Sequence, residues 1–206
     1  MRILWAVVLS ASSACAQYKT VPGGAPPAEL KPELAQVLQP VGVKVLKADG
    51  SVLCEVWLRN SAPETAAVEE AATFGISQGA LLGAIHFPAK HEDRRGQTIQ
   101  PGVYTLRYSL FPINGDHQGV APQRDFALIT PAAHDTDPAV LPDFDTLVAW
   151  SRKASGTPHP AVFSIWKQEP SDFKEGFDKM GDHDWVLQCK LHDLLFAMIL
   201  VGRAEG

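Results

Sequence analysis

The chain has 206 residues, with 18 basic against 23 acidic side chains, a formal net charge of −5, and 46% hydrophobic residues. A mildly acidic chain with no Lys/Arg stripe lacks the electrostatic footprint of a nucleic-acid binder and of a polybasic membrane-docking protein. The length suits one domain with a sizeable core.

The first residues, Met1-Arg2, precede an apolar run from Ile3 to Leu9 and a small-residue stretch ending Ala14-Cys15-Ala16. A positive start, a short apolar run and an A-x-A ending are the three parts of a cleavable secretory signal peptide, here residues 1–16. The apolar run is too short to cross the roughly 30 Å of a bilayer core as a helix. Cleavage leaves Gln17 first, with 190 residues and 17 basic against 23 acidic side chains. Cys15 raises the alternative of lipidation, which is disfavoured because Ser12 rather than Leu stands three residues before it. The expected address is therefore export, to the periplasm or the cell exterior, with no transmembrane segment after cleavage. The later apolar run Leu194 to Val201 is eight residues long, the length of a buried strand.

Residues 17–41 are rich in Pro, Gly and Ala, as in Val21-Pro22-Gly23-Gly24-Ala25-Pro26-Pro27, and read as an extended leader. A short helix fits within Ala28 to Gln39, with Pro32 confined to its first turn. The domain proper is expected over 42–206. Runs of period two then recur: Val43 to Lys47 and Val52 to Leu58 flank Ala48-Asp49-Gly50-Ser51, whose Asp-Gly step signals a hairpin. Ala80 to Phe87 follows. Val103 to Phe111 is launched by the turn Gln100-Pro101-Gly102, with Tyr104, Leu106, Tyr108 and Leu110 on one face and Thr105, Arg107 and Ser109 on an opposite, solvated one. Phe126 to Thr130, Ala161 to Trp166, Trp185 to Leu191 and Leu195 to Val201 complete the strands. A helix is expected over Thr146 to Ala154, N-capped by Asp145 and stopped near Gly156. About eight strands, one or two short helices and no βαβ alternation predict a mainly β fold, an antiparallel β-sandwich.

After cleavage two cysteines remain, and both alternate onto apolar faces: Cys54 with Val52, Val56 and Leu58, and Cys189 with Trp185, Leu187 and Leu191. In an oxidising compartment, a core disulfide and a pair of buried thiols are equally compatible with that pattern.

No H-E-x-x-H, C-x-x-C or phosphate-binding glycine loop occurs, and Ser171-Asp172-Phe173-Lys174 matches S-x-x-K without its companion motifs. No catalytic or cofactor-binding residue is assigned. Gly-Asp-His occurs twice, at Gly115-Asp116-His117 and Gly181-Asp182-His183. Sorting loops by alternating strand direction puts both triplets at one rim. There Asp116, His117, Asp182 and His183 form a candidate ligand set for zinc or another divalent ion. The plainer reading is that Gly-Asp marks tight turns. The opposite rim collects His91-Glu92-Asp93-Arg94-Arg95, His134-Asp135-Thr136-Asp137 and His159. Asp135-x-Asp137 suits a hard cation such as calcium, or the arginines pair with these carboxylates and hold the 131–145 loop. Trp57, on the face with Glu55 and Arg59, is the tryptophan best placed for exposure and the centre of a candidate sugar-binding face.

The element Pro101-Gly102-Val103-Tyr104-Thr105-Leu106, running on to Gly115-Asp116-His117 and Arg124-Asp125-Phe126, resembles secreted bacterial β-sandwich proteins of no assigned activity. The resemblance covers residues 80–205. The sequence as a whole leads to an exported, non-catalytic binding or accessory module of the cell envelope, with a protein or glycan partner. A metal-dependent protein and a sugar-binding face are the alternatives.

Overall fold

The computed structural model describes residues 17–69, 72–113 and 124–203. The expected signal segment and Cys15 lie outside these. Among the described residues twelve strands and two helices follow one another: β1 (Tyr18–Pro22), α1 (Pro32–Gln36), β2 (Val43–Lys47), β3 (Val52–Leu58), β4 (Leu81–Phe87), β5 (His91–Glu92), β6 (Thr98–Ile99), β7 (Gly102–Leu110), β8 (Asp125–Pro131), α2 (Phe144–Ser155), β9 (Val162–Lys167), β10 (Phe177–Met180), β11 (Asp184–Leu191) and β12 (Leu194–Val201).

Ten strands form one sheet in the order β1-β2-β3-β4-β7-β8-β9-β12-β11-β10, every neighbour antiparallel, and β5 and β6 form a separate ribbon. The sheet curls until its two ends, β1 and β10, lie side by side. Across that seam Tyr18 meets Phe177 edge-on at 5.3 Å and Trp185 at 4.8 Å between ring centroids. The result is a nearly closed barrel. Its upper end is defined here as the one where β1, β3, β7, β9 and β11 finish.

The period-two alternation fills the interior. Val45, Cys54, Val56, Leu58, Tyr104, Leu106, Tyr108, Phe163, Leu187, Cys189, Phe196 and Met198 belong to one buried cluster. Fully burying each large apolar side chain contributes roughly 1.5–3 kcal/mol. The β2–β3 hairpin turns at Gly50, whose φ of 82° costs a glycine little, while Asp49 accepts a bond from the Ser51 amide at 2.9 Å.

The mainly β, antiparallel expectation holds, but the eight-strand sandwich is corrected to a ten-strand, barrel-like sheet. Alternation tells an inner face from an outer one; it does not tell whether a sheet's ends meet. The strands that bring them together are the two that the periodicity left out. One is β1, inside the presumed leader, and the other is β10, inside a presumed loop. Residues 17–41 are thus part of the fold. Tyr18–Pro22 pairs with β2, and Leu30, Leu34 and Leu38 pack against Trp57 and Leu81 on the outside of the sheet. Gly23 donates to Gly42 on the β2 side, which turns the neighbouring Pro22 toward the free edge, where its missing N–H leaves no ladder bond unmade.

The solvated outer face expected for β7 is also corrected. Arg107, Thr105 and Ser109 are buried beneath the 131–143 segment and α2. Arg107 forms a bidentate pair with Asp135, at 2.7 Å for both bonds, and donates to the carbonyls of Gly79, Val140 and Asp137. The guanidinium thus gathers Asp135 and the Asp137 and Val140 carbonyls of the segment, which suits five planar donors, and Thr105 adds a bond to the same carboxylate. α2 then seats Leu147 on Phe126, Leu128 and Val162. Its N-cap is Asp143, two residues before the expected Asp145, since the Asp143 carboxylate reaches the Thr146 amide at 2.8 Å. Gly156 closes it in the left-handed region, φ 66°, as expected.

Candidate functional site

Asp182 and His183 lie exposed in the turn between β10 and β11. That turn is at the lower end of the barrel, because the unforeseen β10 reverses the direction assumed for residues 185–191. The described ends of β7 and β8 that flank the other triplet, Leu110 and Asp125, are at the upper end and paired with each other. Asp116 and His117 themselves lie outside the described residues. Among the described residues no three His, Cys, Asp or Glu side chains gather as a metal-binding group.

The lower end does collect His91, Asp93, His134, Asp135 and His159, but its carboxylates have protein partners. Asp135 is held by Arg107, and Asp137 accepts the Ala139 amide. Asp93, almost fully buried, accepts from the amides of Arg95, Gln97 and Val162 and pairs with the Arg95 guanidinium at 2.9 Å. Arg95 reaches on to the Pro160 carbonyl, and Arg94 pairs with Asp184 at 3.1 Å. The arginines therefore fasten the β5–β6 ribbon across the lower mouth rather than the 131–145 loop. His91 completes the closure. Its ring stacks on Phe87, 4.5 Å between centroids and 12° between planes, and its Nε2 lies 2.7 Å from the Leu200 carbonyl. Burial depresses its pKa, against the raising effect of that bond.

Trp57 is 2% exposed, and its indole donates to the Gly24 carbonyl at 2.8 Å. Its expected exposure is corrected: the segment taken for a leader covers it. Cys54 and Cys189 face the barrel interior as expected, yet stand as two free, buried thiols rather than a disulfide. Burial pushes both thiols far up, with Glu55 adding to the effect at Cys54 and Cys54 at Cys189, which makes them unreactive packing groups.

The upper end is different. A recess of about 350 Å³ opens between the ends of β2 and β3 on one side and β11 on the other. Its floor is the barrel core itself: Val43, Val56, Leu58, Leu187 and Cys189. Its rim is polar, with Gln39, Asn60, Glu175 and His192. A second recess of about 350 Å³ continues it along the seam past Thr20–Pro22 and Val41, sharing Gln39, Val43, Glu175, Leu187 and Gln188.

Each rim residue is positioned by backbone bonding. Beyond β3 the chain bridges Arg59 to Leu38, with the Asn60 amide donating to Val37 and the Gln39 amide to Leu58. The Asn60 side-chain amide donates to the carbonyls of Gln36 and Leu38, and that of Gln39 to Lys190 across the opening. Phe173 and Glu175 come from the β9–β10 connection, whose Gly176 carbonyl accepts the Gln188 amide. His192 occupies the two-residue β11–β12 turn with φ 53°, the one non-glycine positive φ among the described residues. Its Nδ1 lies 2.9 Å from the Asp193 carboxylate. Strand alternation does not reveal this rim, because its residues sit in turns and extensions beyond the strands. The sole sequence signal was a His-Asp turn where Asn-Gly is the usual choice.

Neither a protein-family model nor a curated protein nor a solved structure matches the chain. No described helix is long and apolar enough to cross a membrane.

Proposed function

We propose that the protein is a non-catalytic binding module whose ligand is a small molecule with an apolar body, held in the recess at the upper end of the barrel. One observation carries the reading. The barrel interior is open at one end over an aliphatic floor, with Gln39, Asn60, Glu175 and His192 at the rim. Small-molecule sites take this form, and the mouths of β-barrels are among their usual places. A volume of about 350 Å³ lies at the lower end of the roughly 300–1,000 Å³ such sites span. An exported envelope setting remains the address in which we place this module, on the character of residues 1–16.

Titration with 1-hexanol, followed through methyl resonances, tests the reading. Saturable shifts confined to Val43, Val56, Leu58 and Leu187 are expected. Shifts that do not saturate, or that concentrate at the lower end around Ile99 and Phe163, would overturn it.

A further inference from the structure

The polar rim offers more acceptors than donors. Asn60 uses both side-chain N–H groups on backbone carbonyls, and Gln39 uses one of its two on the Lys190 carbonyl. Among the described residues their carbonyl oxygens receive no hydrogen bond, so each keeps an acceptor for a guest, and Gln39 keeps one N–H besides. Glu175 adds a carboxylate that forms no ion pair among the described residues. Phe173 supplies an aromatic ring beside it. The cationic residue of the lining is Lys190. Because Leu187, Cys189 and Leu191 face the interior, strand alternation turns its side chain to the outer face, while its carbonyl holds Gln39. The His192 ring is tied through Nδ1 to its exposed neighbour Asp193.

Two amide oxygens, a carboxylate and an aromatic ring above an aliphatic floor form the complement of an ammonium head on an apolar tail. An ammonium brings N–H donors and no acceptor. It is attracted by the unpaired carboxylate, and it stacks favourably on an aromatic face. A carboxylate guest would find fewer donors than acceptors at the rim and be repelled by Glu175. From this complementarity we infer that the ligand class is the small organic amine, protonated at its head, with an aliphatic or aromatic body that enters the barrel. The inference rests on the binding reading above and names the chemistry that the same recess selects.

Calorimetric titration of the full chain with hexylammonium, 1-hexanol and hexanoate, which share one six-carbon body, separates the two claims. Hexylammonium is expected to bind about tenfold more tightly than hexanol, and hexanoate more weakly than either. Glu175→Gln is expected to bring hexylammonium down to the level of hexanol, and Glu175→Lys to reverse the order in favour of hexanoate. If all three bind alike in the unaltered protein, the amine inference fails while the recess stands as a site. A preference for ammonium that survives Glu175→Gln overturns the assignment to this rim. If none of the three binds, the recess is no site and both claims fall. Urea unfolding of each variant confirms that a lost preference is not lost folding.

Discussion

The two ends of the barrel are built on opposite terms. At the lower end, two carboxylates are turned onto backbone amides and guanidinium groups: buried Asp93 on three amides and Arg95, and partly buried Asp184 on Arg94. The β5–β6 ribbon is thereby fixed over the mouth, with Ile99 and the His91 ring as its stopper. At the upper end, the polar side chains stand at the rim over an uncovered aliphatic floor. Closure uses buried, satisfied polar groups because a buried polar group stabilises only when every partner is present. A binding mouth needs the reverse, acceptors left without a protein donor. The same residue types thus have different roles at the two ends, and what distinguishes them is whether the chain itself completes their hydrogen bonds.

The contrast is broken most severely at the flank that descends to the lower end. Asp135→Ala leaves Arg107 buried without its counter-charge, and loss of one partner of a buried pair costs about 3–5 kcal/mol. A correspondingly lower urea midpoint is expected. Replacing both residues, Arg107→Met with Asp135→Leu, should recover much of the loss, since the penalty belongs to the stranded charge. An Asp135→Ala protein as stable as the parent would mean that Arg107 finds water, and that the flank is not sealed.

Asp93→Ala is the next step down. It removes the acceptor shared by the Arg95, Gln97 and Val162 amides, and about 2–3 kcal/mol is expected from stranding them. Amide exchange localises the effect: Gln97 and Val162 should lose protection, while Gln188 and Asn60 at the upper end keep theirs. Loss of protection at both ends would show that the ends are one cooperative unit.

A pH titration then separates the ends without mutation at the recess. The folded pKa of His91 is depressed by burial below its ordinary value near 6.5, so the unfolded chain binds the proton more readily. Stability should fall as pH drops through about 6.5 and stop falling from this source once the pH is below the folded pKa. The charged groups around the ring are Lys47, which favours the neutral form, and Glu92 and Asp93, which favour the charged one. Asp49 and Asp143, whose pKa values are held down by hydrogen bonds from Ser51 and Thr146, lose their contributions only at lower pH, in the carboxylate range. His91→Leu should flatten the profile between pH 5 and 7, read as the urea midpoint at each pH, and an unflattened profile would assign the effect elsewhere.

How much of this was readable in the sequence follows the same division. The strands with clean alternation were placed within a residue or two, because Val52 to Leu58 or Val103 to Leu110 cannot shift register without moving a whole apolar face to the outside. β1 and β10 were missed: Tyr18–Pro22 carries two lysine- and proline-bearing positions at an edge, and Asp178 and Lys179 in β10 are exposed. Edge strands are polar for reasons of solubility, and so look like loops. Without them the sheet has open ends and reads as a sandwich. Trp57 was misjudged for a related cause. Its neighbours Glu55 and Arg59 suggested a wet face, but Glu55 bonds the Gly24 amide and Lys44, and the leader closes over the indole. Arg107 sat in a strand of ordinary alternation, and only the fold of the 131–143 segment reveals it as a buried anchor. The recess was not legible at all, since Gln39, Asn60, Glu175 and His192 come from four separate connections that only barrel closure unites.

The smallest expected effect sharpens the comparison most. His192 holds a left-handed φ of 53° in the tight β11–β12 turn. A side chain with a Cβ is disfavoured there by roughly 1–2 kcal/mol, and glycine is not. Its pairing with Asp193 is exposed to water and gives little in return. His192→Gly should therefore raise stability, by about 0.5–1 kcal/mol once the greater freedom of an unfolded glycine is counted. If the turn were merely a connection, nothing else would change. If the rim is a binding rim, the same variant should bind hexylammonium more weakly while unfolding at a higher urea concentration. Gain in stability with loss of binding is the signature of strain kept for function. Gain in stability with unchanged binding would move His192 out of the site and leave the recess to Gln39, Asn60, Phe173 and Glu175. A less stable glycine variant would mean that the turn is not strained. The asymmetry between the ends would then rest on the hydrogen bonds of the plug alone.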